Sequence, residues 1–368
     1  MRSFIVLAFV VACSKSARTN VDATQADAML ALLKAPAPAQ VDAVMAAPGT
    51  ALIVAQQNLS RRVTAEQYRT VLSAIAMERA PAIAPVDDSE RAKRGVTGLV
   101  DDVWPALHWG TAQTGLLAKR LALIRALDVG GGSMQRARAW LPEVTIPEVR
   151  LHIVMGGRAG AAAIDRDIYF DVLAMSYRES RGVAKFEPSE ITEFFAHETH
   201  HVGLGVLTKQ QRATLTLDET SGRAYDLLAM LVAEGSATYF INAKQDLAKL
   251  ASDPQYASHL ANRRQLIATY EEILHGVLGK TLSGDAYEAA LTPLVGSGFH
   301  SAGAVMFDAI YRADGRGRVE GLAAVLDVMR DPRQLFVVYN RAKPDRPVDA
   351  KLAAHLARLG DVSAAPAR

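Results

Sequence analysis

Between Ile191 and Gly203 the chain reads ITEFFAHETHHVG, and no other stretch restricts the possible folds as strongly. Ile191, Phe194, Phe195 and Val202 recur at helical spacing and form an apolar stripe, with Glu198 and His201 on or beside it. A helix that buries this stripe carries ionisable groups into a dry interior, where each needs a partner. His197 and His201 are four residues apart, so both imidazoles share a face and can bind one ion. Glu198, beside the first of them, can take a proton from water. His200 is expected to point sideways and to pack, because on an ideal helix only the i, i+4 pair and the intervening Glu meet this geometry. Pro188 and Ser189 supply a helix start with a capping hydroxyl, and Glu190 puts acidic charge in the first turn, where the helix dipole favours it.

A zinc site that hydrolyses amides needs three protein ligands and an open position. The strongly apolar helical segment AYDLLAMLVAEGSATYFINA offers the third. Leu227, Met230, Leu231, Glu234, Ala237 and Ile241 share a stripe there, and a carboxylate on such a face is costly unless a cation or hydrogen bonds compensate it. Glu234 is the preferred third ligand. Glu219 and Asp226 are its rivals, Glu219 lying in the polar run Thr216 to Arg223 that reads as a loop and helix start.

His197-Glu198-Thr199-His200-His201 followed by Glu234-Gly235-Ser236-Ala237 resembles the gluzincin peptidases. In those enzymes two His and a downstream Glu hold zinc, and Glu-Gly-x-Ala is similar to the third-ligand segment of aminopeptidase N-type members. The layout is closer still to the zinc-dependent peptidases found as bacterial lipoproteins and secreted proteins, over about Arg150 to Tyr339. The resemblance implies a zincin-like catalytic domain and a zinc ion held by His197, His201 and Glu234. It also implies peptide or protein substrates, with Glu198 as general base. Two departures stand out. The gap from His201 to Glu234 is longer than in thermolysin-like enzymes, and Thr238 occupies the place where those carry an acid that orients a zinc-bound His. A hydroxyl can accept an imidazole N–H but makes a weaker support than a carboxylate.

Val149 to Met155 alternates apolar and polar residues, the glycine-rich GGRAG follows, and Ile168 to Val172 again reads as strand. In peptidases of the resembling kind an edge strand near the metal pairs with extended substrate; a hairpin that only covers the core is the alternative. Downstream, GSGFHSAG from Gly296 to Gly303 leads into an apolar helix, and Asp331-Pro332 breaks the chain before QLFVVYN. His300, Tyr311 and Tyr339 are candidates for the hydrogen-bond donor that related enzymes aim at the oxyanion, and His300 is preferred.

Met1-Arg2, the apolar run Phe4 to Ala12 and Cys13 fit a bacterial lipoprotein signal, too short to span a bilayer. Resemblance to such signals implies lipid at Cys13 and a protein anchored in the cell envelope; an ordinary secretory signal would place it in the same compartments or outside. Cys13 is the only cysteine, so no intramolecular disulfide forms. Half of the 368 residues are hydrophobic, 22% are charged and the net charge is +2, which gives no footprint for nucleic acid. No Gly-x-Ser-x-Gly elbow of a serine hydrolase is present. Helical periodicity outweighs strand signals, so the expected class is mainly α with a small β-sheet.

The expected organisation is a signal and lipobox over residues 1–13, a tether over 14–26, a helical region over 27–145, a zincin-like domain over 146–345 and a C-terminal helix with a frayed tail over 346–368. Within it, Gly110 to Leu127 reads as one helix with Leu116, Leu117, Leu121, Ile124 and Leu127 inward, stopped by Gly130-Gly131-Gly132. The sequence does not set oligomeric state. The competing function is a lipid-anchored binding or structural protein with a vestigial or structural zinc site, which Thr238 favours.

Overall fold

The computed structural model describes residues 21–361 apart from 159, 184, 295–296 and 314–317. Cys13 and the apolar run before it lie outside the described residues, as do Gly296 and the last residues of the tail. The chain is about 70% helical with one four-stranded sheet, the mainly α architecture with a small β component that the periodicity implies.

The N-terminal layer is built from α1 (Thr24–Lys34), α2 (Pro38–Ala46), α3 (Pro48–Ser60) and α4 (Ala65–Ala76). Pro38 and Pro48 each stand in the first turn of a helix, where a missing N–H costs nothing. Thr64 and Gln67 close a capping box on α4: the Thr64 hydroxyl accepts from the Gln67 amide at 3.1 Å and the Gln67 side chain accepts from the Thr64 amide at 3.0 Å. Then come α5 (Glu90–Thr97), a π-helical turn at Gly98–Val103, α6 (Trp104–Ala112), α7 (Thr114–Ala126) and α8 (Val129–Arg138).

Two sequence expectations fail in this region. The helix read over Gly110 to Leu127 breaks at Gln113 into α6 and α7, and Leu116 faces solvent. The triplet Gly130-Gly131-Gly132 is not a stop but lies inside α8. Tertiary packing overrides the low helix propensity of glycine here. A Cβ on Gly132 would stand only 3.0 Å from the Thr192 methyl, so its absence lets α8 lie close against the His-bearing helix.

The sheet has the order β1-β2-β4-β3, with β1 (Val21–Asp22), β2 (Arg150–Val154), β3 (Ala161–Ile164) and β4 (Asp167–Asp171). β1 and β4 run parallel to β2, and β3 returns antiparallel along β4, leaving β3 at an edge. Ile153 pairs with Phe170 in register, and the Phe170 ring lies 5.6–6.3 Å from those of Phe186, Phe194 and Phe195. Burying a ring such as Phe195 contributes about 2–3 kcal/mol, so this cluster fixes the sheet against the next long helix. Asp171 ends β4 and caps α9 (Val172–Ser180). Its Oδ1 accepts from the Ala174 amide at 2.9 Å, and its Oδ2 accepts from Gly156 and Gly157 at 3.0 and 2.8 Å. Burial lifts the Asp171 carboxyl to about 7 against the pull of those donors.

The C-terminal half contains α10 (Pro188–Arg212), α11 (Glu219–Ala237) with a π-helical turn at Thr238–Asn242, α12 (Leu247–Ala251), α13 (Pro254–Ala261) and α14 (Arg263–Leu278). It continues through α15 (Gly284–Leu291), α16 (Ser297–Arg312), α17 (Arg318–Arg330), α18 (Leu335–Arg341) and α19 (Ala350–Leu356). α10 starts with Glu187 in the cap position and Pro188 in its first turn, two residues earlier than the serine cap the sequence suggests. Ile191, Phe195 and Val202 are buried as the stripe requires. On α11, Leu227, Leu231 and Ala237 are buried, but Met230 is 45% exposed and does not belong to the inward face. α11 and α16 cross at Gly235 and Gly303, where a Cβ on Gly235 would meet the Gly303 backbone at 2.4 Å. Only glycine at both positions allows this approach.

Candidate metal centre

Glu234 precedes the α11 crossing glycine, and His300 lies one turn before Gly303 on α16. The close crossing therefore brings residues from distant parts of the chain to the face of α10 that carries His197 and His201. Glu234 Oε2 lies 3.5 Å from His197 Nε2, 3.3 Å from His201 Nε2 and 2.9 Å from His300 Nε2. His197 and His201 stand edge to face with ring centres 4.5 Å apart. Two overlapping groups have the spacing of metal ligands: His197, Glu198 and His201, and His197, Glu234 and His300.

Electrostatics supports a cation here. Glu234 Oε2 is buried and makes no hydrogen bond, although three imidazole nitrogens surround it. A buried carboxylate oxygen is costly to leave in that state, and a shared divalent ion would satisfy it together with the imidazoles. Against burial, the charges of His300 and His201 hold the Glu234 carboxyl well below the usual carboxylate range. Burial alone would depress His201, but Glu234 and Glu198 outweigh it and raise it to about 9. The donor set of imidazole nitrogens and carboxylate oxygen suits zinc.

The structure places the other sequence candidates as follows. Glu219 is exposed and pairs with Arg223 at 2.6 Å, and Asp226 pairs with Arg212, so neither is brought to the imidazoles. His200 is buried, and desolvation with the nearby His201 and His197 depresses its pKa well below the ordinary value, as expected for a packed neutral ring. Tyr339 donates its hydroxyl to the Arg346 carbonyl at 3.1 Å, and Tyr311 sets its ring edge-on against Tyr239 and Phe240. Of the three oxyanion-donor candidates, His300 is the one brought to Glu234.

Thr238 does not take the supporting place considered for it: its hydroxyl is buried without a hydrogen-bond partner. Asn242 takes that place instead, with Oδ1 accepting from His197 Nδ1 at 2.6 Å, which turns Nε2 toward Glu234. The π-helical turn over Thr238–Asn242 changes the helical phase after Glu234, so spacing rules for a regular helix miss this residue. The Trp140 ring stacks on Phe240 of the same turn at 4.8 Å and helps fix it. Asn242→Ala is expected to weaken zinc affinity about 10–100-fold, measured by competition with a chelating dye. Tyr256 was also not singled out by sequence. Its ring lies 6.2 Å from that of His300, and burial, Asp253 and Glu234 raise its pKa.

Beside the centre, a cavity of about 1080 Å³ opens between α10 and the β3–β4 hairpin, lined by His201, Val202, Gly205, Ala163, Arg166 and Asp167. β3 reaches it through Ala163, and the strand's residues, Ala161 to Ile164, are all half-buried.

The family DUF5700, described as "Putative zinc dependent peptidase", has a model that matches residues 131–344. This chain is a DUF5700 protein. The matched part of the DUF5700 protein runs from α8 to beyond α18 and includes His197, Glu198, His201, Glu234, Asn242 and His300. No curated protein and no solved structure matches it.

Proposed function

We propose that this chain is a zinc-dependent peptidase in which His197, His201 and Glu234 hold the metal and Glu198 is the general base. The observation that carries the reading is the single Glu234 oxygen facing three imidazole nitrogens next to an open cleft. When bound there, zinc supplies a Lewis acid that activates water and polarises a carbonyl. Glu198, on the same turn as His197, takes the proton of the attacking water and returns it to the leaving amine. Asn242 keeps His197 in the tautomer whose Nε2 points inward. His300 orients the Glu234 carboxylate and stands where it can donate to the developing oxyanion. The outer edge of β3, which pairs with no other strand among the described residues, would offer main-chain N–H and C=O groups to an extended peptide. Asn242 also removes the main support for a vestigial site, since the imidazole support that Thr238 lacks is supplied from the next turn.

We further place the protein in the cell envelope with lipid at Cys13, on the strength of the apolar run and small residues before it. The test of the centre is metal content. Glu234→Ala is expected to purify without zinc while Glu219→Ala retains it, read by mass spectrometry of protein prepared without added metal. Retention of zinc by Glu234→Ala would remove Glu234 from the ligand set.

A further inference from the structure

Glycine inside a helix weakens it relative to alanine, and α10 carries two glycines beyond its histidines, Gly203 and Gly205. Packing accounts for the first: a Cβ on Gly203 would lie 2.5 Å from Leu141 Cδ1. Gly205 has no such reason. It stands well inside the 25-residue helix and its φ is not positive. Among the described residues, nothing apart from the helix's own backbone lies within 4 Å of a Cβ placed there. Neither backbone conformation nor packing needs the missing side chain. What lies over Gly205 is the cleft of about 1080 Å³ beside the metal centre.

His201, Gly205 and Lys209 are four residues apart, and all three line that cleft, so one face of α10 forms its floor. Gly205 is one turn, about 6 Å, beyond His201. Val202 and Val206 lie next to it on the helix, and Pro147 and Ala163 of β3 add to the apolar lining. The charged lining is even in sign, with Glu148, Asp165 and Asp167 against Arg150, Arg166 and Lys209. Arg150 pairs with Asp167, and Lys209 Nζ is 3.9 Å from Asp165 Oδ1. The walls therefore carry no net charge that would select a charged side chain, while the floor beside His201 is apolar and has space at its centre. The volume is at the upper end of the range of about 300–1,000 Å³ for small-ligand sites, so a stretch of peptide fits rather than one residue.

We propose that Gly205 is a specificity-determining residue, and that the space over it accepts a bulky apolar side chain, aromatic or branched aliphatic, of the bound peptide. This rests on the peptidase reading of the metal centre and names the substrate class. An extended peptide advances about 3.3 Å per residue, so a side chain seated one helical turn from His201 belongs to a residue within about two positions of the cleaved bond. Because a Cβ at Gly205 meets nothing, a larger side chain there would grow into the cleft and take the volume that the peptide needs, without disturbing the packing of α10.

Binding to full-length, zinc-loaded Glu198→Gln protein tests this without requiring turnover. Fluorescent octapeptides built from Ala and Ser carry a single Phe at each of the four middle positions in turn. For at least one position the Phe peptide is expected to bind about 10-fold more tightly than the parent without Phe, a difference of about 1.4 kcal/mol, and Asp or Lys at that position to give no gain. Adding Gly205→Leu is expected to bring the ratio of Phe peptide to parent close to one, and Gly205→Ala to lower it part of the way, with zinc content unchanged. Alanine and leucine are better helix formers than glycine, so both variants should fold, which thermal unfolding checks. Should Gly205→Leu not fold, Gly205→Ala carries the comparison. No gain from Phe at any position, an equal gain from Asp or Lys, no binding of any peptide, or a Phe preference undiminished by the Gly205 substitutions would overturn the proposal. If the preference is present and depends on Gly205 while the wild-type protein cleaves none of the peptides, the peptidase reading fails and the pocket stands. If the wild type cleaves them with no such preference, the pocket fails and the peptidase reading stands.

Discussion

Glu198→Gln protein is expected to bind zinc as the wild type does and to cleave peptides about 10²–10⁴-fold more slowly, the range that a positioned general base contributes. The amide has the size of the acid and leaves α10 intact, but it cannot accept a proton from water. Glu198 lies between His197 and His201 on α10, in a ligand-spaced group with them, so no separate element has to position it. Because His197, His201 and Glu234 are untouched, metal content measured by mass spectrometry should match the wild type. A fluorogenic peptide assay on the same preparations reads the chemistry. Equal turnover by the variant would remove Glu198 from the proton transfer.

The second large effect is expected at a residue that has no titratable atom of its own. Gly235→Ala places a Cβ 2.4 Å from the Gly303 backbone, and no side-chain rotation can relieve a backbone contact. The helices must separate, with an expected loss of about 3 kcal/mol or more in urea unfolding. Glu234 and His300 flank the crossing, so separation also opens the ligand set and zinc affinity should fall with stability. Gly115→Ala is the control: nothing lies within 4 Å of a Cβ there, and helix propensity should make the change neutral or slightly stabilising. Wild-type stability in Gly235→Ala would show that α11 and α16 have room the geometry does not suggest.

The elements that could be read from sequence are those whose local pattern and tertiary role agree. The stripe of Ile191, Phe195 and Val202 specifies α10 and its buried face, and the burial cost of Glu234 among apolar residues singles out its turn of α11. The fold class follows from the same periodicity. What was not legible depends on contacts between distant segments or on departures from regular geometry. Gly130-Gly131-Gly132 has a local preference for a helix stop, yet the approach of α10 makes the missing side chains useful inside α8. Asn242 is placed by a π-helical turn, which shifts the phase that residue counting assumes. Arg158 and Arg178 come from different elements, the glycine-rich loop and α9, and only the fold sets them around one cavity. Met230 satisfies the helical count but lies just outside the arc that α11 buries.

The short strand β1 bears on where such a protein could work. Val21 and Asp22 form the border of the sheet opposite β3, and β1 to β3 is three inter-strand steps, about 14 Å. A lipid at Cys13 would be joined to that border by a leash whose fully extended length is about 28 Å. The β3 margin would then stay within a few nanometres of the bilayer, on the side of the sheet away from the point of attachment. Chains emerging from the membrane surface would meet it at high local concentration, whereas freely diffusing peptides would gain no such advantage.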